Sequence, residues 1–196
     1  MINVFYEPFP ETITIGEQEF PIVTDFREWF RFADMVASRE LTEQEKVFCM
    51  LQWVLAENVS VNYQELIEAL FSFYRADDLE LHPFQPESEN EQEVVKKPPL
   101  FDWRIDGKYI MGDFRRYYGL DLVHLDYLHW WEFRCLFSAL PDESICSRRI
   151  AYRGANLAKI CDKSERQRIA KIQREIAIPY LTEEEEEFQL GAMLWG

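Results

Sequence analysis

Residues 126–141 read DYLHWWEFRCLFSALP, and the way this stretch is read decides the fold class. Its composition and spacing predict a helix closed by Pro141. On a helical wheel Tyr127, Leu128 and Trp131 take one flank, Trp130, Phe133 and Phe137 another, and Leu136 and Leu140 fall between. Trp130 and Trp131 are adjacent, so they point about 100° apart and cannot share one narrow contact face. Each tryptophan can bury on the order of 200 Å². At ~25 cal/mol per Å², the two together represent roughly 10 kcal/mol as an upper bound, too much to leave in water. Two readings follow. Either the helix is central and wrapped on all sides by its own domain, or one flank packs internally and the other faces a partner. On the second reading Trp130, Trp131, Phe133 and Phe137 are the partner-binding residues.

Working outward, the chain reads as mainly α, a compact helical protein with a small N-terminal β-hairpin. Residues 12–25, TITIGEQEFPIVTD, alternate about Gly16, which predicts the hairpin. Asp25, with Glu28 three positions on, has the spacing of a helix-starting capping box. Phe26, Trp29, Phe30 and Ala33 then form one apolar stripe. Thr42 and Glu45 repeat the start signal, ahead of an inner face of Val47, Met50, Leu51, Val54 and Leu55. A third helix over 60–76 carries Tyr63, Leu66, Ile67, Leu70 and Tyr74 in register. Residues 77–99 hold four prolines and many acids without a sustained period, the pattern of a linker. A helix then ends before Gly119, and two more cover about 143–153 and 164–178. The organisation expected is 1–76, hairpin plus helices; 77–100, acidic linker; 101–180, C-terminal helical lobe; and 181–196, an acidic and then apolar tail.

Charge is uneven along the 196 residues. Residues 1–100 hold 7 Lys+Arg against 20 Asp+Glu, whereas 148–174 hold nine basic residues against two acids. An acidic whole, formally −15, argues against general nucleic-acid affinity, although the 148–174 cluster keeps a nucleic-acid-associated factor among the alternatives. The bland alternative is that this face is solvated or pairs with the acidic half. Within 164–178, Ile169, Ile172 and Ile176 make one stripe and Lys171 and Arg174 lie opposite.

Signals for chemistry are weak. Cys49, Cys135, Cys146 and Cys161 form no CxxC spacing and read as reduced thiols of a cytoplasm. His129 has Asp126 and Glu132 three residues to either side, too few donors for a metal site, and reads as a histidine hydrogen-bonded locally within an aromatic helix. No nucleophile elbow, zinc-protease, phosphate-loop or dinucleotide motif is present. The expectation is a non-enzyme with no cofactor, no metal and no membrane span. The tail EEEEEFQLGAMLWG, residues 183–196, carries Phe188, Leu194 and Trp195 as further partner-binding candidates, being terminal and set off by five glutamates.

Four stretches together resemble a known family: TDFREWFRF (24–32), YYGLDL (117–122), YLHWWEFRCLFSALP (127–141) and YRGANLAKICDKSERQRIAKIQREIAIP (152–179). They are similar to the bacteriophage gene-product-fifteen family of long-tailed phages and prophages of Gram-positive bacteria. The most specific element is YLHWW-x-F-R followed by the YR…L-x-K-I-x-D-K pattern. The resemblance implies a tail-assembly chaperone, non-enzymatic, acting in the host bacterial cytoplasm. Its implied partners are the tape-measure protein and the major tail protein, and it would form a homo-oligomer. A structural tail component retained in the virion is the other role the resemblance admits. The linker and the 183–196 tail lie outside the family pattern.

Overall fold

The computed structural model describes residues 3–56, 61–79, 81 and 100–178. Among these residues, two short strands and seven α-helices follow one another. Strands β1 (Thr12–Ile15) and β2 (Gln18–Pro21) pair antiparallel with Ile13 opposite Phe20. Gly16 turns the hairpin at φ +63°, a conformation side-chain-bearing residues rarely adopt. The mainly α class with an N-terminal hairpin is what the sequence predicts.

The helix starts obey local chemistry. In α1 (Phe26–Val36) the Asp25 carboxylate accepts from the Arg27 N–H. Glu28 does not close a capping box there and instead pairs with Arg31. In α2 (Glu43–Met50) the box is complete: Thr42 accepts from the Glu45 N–H, and Glu45 accepts from the Thr42 N–H at 2.8 Å. Asn62 caps α3 (Tyr63–Arg75), and Asp102 accepts from two N–H groups of α4 (Trp103–Tyr118). Gly119 ends α4 at φ +68°, the expected C-terminal signal.

Two units emerge. The first holds the described residues of Met1–Leu81 together with Asp126–Leu136; the second holds those of His82–Leu125 and Phe137–Tyr180. The dividing line runs through α5 (Trp130–Ser138), after Leu136. Most of the aromatic helix therefore belongs with the N-terminal hairpin and helices, not with the residues 101–180 that the linear reading groups it with. Tryptophan burial explains this, since Trp130 and Trp131 meet rings of α1 and α3 within the first unit.

Several inner faces differ from the simple stripes. In α1 the buried residues are Phe26, Trp29, Phe32 and Val36, so Phe32 replaces Ala33 on the core side. After α2 the chain tightens into a 3₁₀ turn over Leu51–Trp53, which buries Trp53 and leaves Leu55 exposed. In α3 Leu66, Leu70 and Phe73 are buried while Tyr63 faces outward. Helix α5 itself begins at Trp130, four residues later than the pattern suggests. The reason is backbone pairing: Phe26 N–H donates to the Leu128 carbonyl and Trp130 N–H to the Thr24 carbonyl, with Asp25 and His129 bridged antiparallel. Those bonds hold 128–129 extended, so the helix cannot start sooner.

The second unit carries α4, α6 (Ile145–Gly154) and α7 (Lys163–Glu175). One of its buried polar clusters is ionic. Arg153 donates to Asp106 at 2.5 and 3.0 Å, and Arg149 Nε donates to the same carboxylate at 2.9 Å. Arg153 also donates to the carbonyls of Leu100 and Ile176 at 2.8 Å. Burial opposes ionisation of Asp106, yet the Arg153 hydrogen bonds, the Asp102 N–H and the arginine charges hold its carboxyl below the usual range.

Candidate partner-binding surfaces

Trp130, Trp131 and Phe133 lie within the first unit and are buried there, Trp130 completely. Trp130 packs near-parallel against both Tyr74 and Trp29, at 5.4 and 6.4 Å between ring centroids, and meets Phe133 at 5.6 Å. Trp131 packs on Phe73 at 5.2 Å and edge-on to Phe9 at 6.5 Å. Phe133 stacks on Phe26 at 5.3 Å and meets Phe30 edge-on.

Their polar edges are used as well. Trp130 Nε1 donates to the Tyr74 carbonyl at 2.8 Å and Trp131 Nε1 to the Phe73 carbonyl at 2.9 Å. Arg134 donates to the Tyr74 carbonyl too. Phe73 and Tyr74 belong to the last turn of α3, whose carbonyls lack the N–H partner four residues on that the helix interior supplies; the Phe73 carbonyl also accepts from the Ala76 N–H at 3.1 Å. The adjacent indoles of α5 thus straddle the C-terminal end of α3, which is how two rings about 100° apart are both buried.

His129 caps α5. Its Nδ1 accepts from the Trp131 N–H at 3.0 Å, so the ring proton sits on Nε2, which faces the Pro10 carbonyl at 3.1 Å. Burial pushes its pKa below the ordinary histidine value. Asp126 and Glu132 are exposed and neither is a hydrogen-bond partner of the ring in this arrangement. Among the described residues no group of three or more His, Cys, Asp or Glu gathers to hold a metal ion.

Phe137 is buried in the second unit, where Phe101 and Trp103 meet it at 5.7 and 5.4 Å. Trp130, Trp131, Phe133 and Phe137 are therefore core residues in this conformation, and the expectation that one flank of the helix lies open to a partner is corrected. Each ring finds aromatic neighbours from segments distant in the chain, which the wheel cannot reveal. Phe188, Leu194 and Trp195 lie outside the described residues.

Exposed apolar side chains sit elsewhere. In the first unit the tripeptide Val4, Phe5 and Tyr6 forms a turn in which the Tyr6 and Glu7 N–H groups donate to the Asn3 carbonyl. Phe5 is 88% and Tyr6 86% exposed. Phe48, Leu55 and Tyr63 are also exposed on this unit. Sequence reasoning passed over Phe5 and Tyr6; the signal available was two large rings in a short N-terminal run without helical or strand periodicity. In the second unit α6 and α7 flank a cleft of about 370 Å³ lined by Arg148, Arg149 and Arg168 with Tyr152 and three isoleucines.

Comparison with known proteins gives one decisive match. Residues 5–178 match the family described as Bacteriophage Gp15 protein. The chain belongs to that family. Membership makes it a bacteriophage protein and points to a structural or assembly role. No curated protein and no solved structure matches the chain. The family match takes in α1 through α7 and stops before the glutamate-rich tail. Among the described residues no helix is long and apolar enough to cross a membrane.

Proposed function

We propose that this member of the Bacteriophage Gp15 family is a non-enzymatic tail-assembly chaperone that binds the tape-measure protein and tail-tube subunits in the host cytoplasm and works as an oligomer. The observation that supports this reading best is the family match over nearly all of the described residues. Physical features agree with it. The chain is strongly acidic, which keeps a protein that displays apolar surface from clumping. The client-facing surface is assigned to the Val4, Phe5 and Tyr6 turn and the exposed Phe48 and Tyr63, with Phe188, Leu194 and Trp195 of the tail as a second element. The buried rings Trp130, Trp131 and Phe133 hold the first unit in shape.

The test is co-expression with the tape-measure protein of the same phage. The chaperone reading expects the client to stay soluble and to co-purify, and a Phe5→Ser/Tyr6→Ser chain to recover at most a tenth as much client. A client equally soluble without this chain overturns the reading. Mass spectrometry of purified virions separates the structural alternative: a chaperone is absent from particles, and a stoichiometric amount there makes the chain a tail component.

A further inference from the structure

Residues 7–10 read Glu-Pro-Phe-Pro and lie against the start of α5, within the first unit. Pro8 and Pro10 have no N–H to give. Among the described residues one hydrogen bond, between His129 Nε2 and the Pro10 carbonyl at 3.1 Å, ties residues 8–10 to the rest of the unit. The other tie is the Phe9 ring, stacked on the His129 ring at 5.1 Å and edge-on to Trp131 at 6.5 Å. Phe73 completes the socket, 6.0 Å from the His129 ring and 5.2 Å from that of Trp131. Phe73, His129 and Trp131 are all buried, while Phe5 and Tyr6, just ahead of the segment, stand in water.

One imidazole therefore holds the segment twice, and it does so only while neutral. Its Nδ1 accepts from the Trp131 N–H at 3.0 Å, capping α5, so Nε2 carries the single ring proton. A second proton would sit on Nδ1, facing an N–H that is itself a donor. The imidazolium must turn out of that position, and a rigid ring takes the Pro10 bond and the Phe9 stack with it. We propose that residues 7–10 are a strap that protonation of His129 opens, uncovering Trp131 and Phe73. Among the charges around the ring, Glu11 beside the strap favours the imidazolium, but burial opposes it more strongly. Asp25, the backbone partner of His129, keeps its carboxylate on Arg27. Asp126 and Glu132 are exposed, and α3 meets the ring with Phe73, which carries no charge. The closed strap thus favours the neutral ring and the open strap the charged one. Opening rises as pH falls below the ordinary histidine value of about 6.5, by up to about thirtyfold between pH 7.5 and 5. Helix α5 stays in place, because its two indoles remain bonded to the Tyr74 and Phe73 carbonyls. The assignment does not depend on the chaperone reading, and its test contains no client.

The experiment places 4-fluorophenylalanine at position 9 of the full chain and follows its fluorine NMR signal from pH 7.5 to 5. A free peptide of residues 3–11 gives the reference for the open strap, and far-UV circular dichroism of the same samples reports the helices. The signal is expected to move towards the peptide value as pH falls while the dichroism holds constant. In the His129→Gln chain, whose side-chain amide both accepts and donates as the neutral ring does, the signal is expected to stay docked throughout. Glu11→Gln keeps the histidine and is expected to shift the midpoint to lower pH, which gives a second reading should His129→Gln fail to fold. A docked signal at pH 5 in the unchanged chain overturns the proposal, as does the same movement in His129→Gln. So does a midpoint that Glu11→Gln leaves in place or raises, or a signal that moves only as the helical dichroism is lost.

Discussion

The two units of this chain reach the same end, a specified helical core, by opposite chemistry. In the first, uncharged rings do the packing and indole N–H groups supply the direction. Trp29, Trp53, Trp130 and Trp131 each donate to a backbone carbonyl, those of Val23, Glu28, Tyr74 and Phe73 in turn. In the second, a buried carboxylate takes that part: Asp106 gathers Arg149 and Arg153, and Arg153 goes on to tie down the carbonyls of Leu100 and Ile176. Apolar burial is forgiving of rotation, whereas a hydrogen bond is not, so both cores gain a unique arrangement from a few polar bonds inside an apolar setting. They differ in what breaks them. Loss of a ring leaves a cavity; loss of one ionic partner leaves a charge with nothing to offset its desolvation.

The largest expected effect comes from the ring side. Trp130→Ala removes a fully buried indole touching Trp29, Tyr74 and Phe133, and should cost about 5 kcal/mol in chemical denaturation. Trp130→Phe keeps much of the packing but drops the bond to the Tyr74 carbonyl, and should cost about 2 kcal/mol. Equal losses for the two would mean the hydrogen bond, not the ring, dominates.

On the ionic side Asp106→Ala should cost about 4 kcal/mol by stranding Arg153. Replacing both partners, Asp106→Leu with Arg153→Met, should recover most of that loss. Failure to recover would show that the carbonyl bonds of Arg153, and not its ion pair, hold the unit.

Acid separates the two units. His129 has a folded pKa below its unfolded value of about 6.5, so the unfolded chain binds more protons as pH falls through that point. Stability of the first unit should therefore decline below about pH 6.5. Asp106 also has a depressed folded pKa, but its unfolded value is about 3.9, and its contribution is lost only as pH falls below that. Amide hydrogen exchange at pH 5 should thus show faster opening around α3 and the start of α5 than around α4 and α6. His129→Gln should flatten the pH 5–7 change, and the reverse order of opening would sink the assignment.

The smallest effect is a gain. Ala76 closes α3 in the left-handed region at φ +56° while its Cβ is buried. Ala76→Gly should stabilise by about 1 kcal/mol, read as a rise in melting temperature.

How legible this was in the residues varies by feature. Asp25 and Thr42 mark helix starts because an N-cap is a bond between a side chain and a backbone N–H at most three residues away, and Gly119 marks an end because a residue without a side chain takes the left-handed backbone at little cost. The hairpin at Gly16 is local for the same reason. The start of α5 was not legible, because the Thr24 and Leu128 backbone bonds that delay it span about a hundred residues of chain. Nor was Phe5, whose exposure depends on what else fails to cover it.

Taken by itself, the sequence determined the helical class, the N-terminal hairpin, the uneven charge and, through the YLHWW and YR…L-x-K-I-x-D-K stretches, the phage family. Tertiary structure alone decided that both indoles of the aromatic helix face inward, that it sides mostly with the N-terminal unit, and that Asp106 and Arg153 meet. The division has a physical cause: caps and turns are closed by neighbours within one turn of chain, while a ring or a buried charge is satisfied only by groups that folding brings from far away.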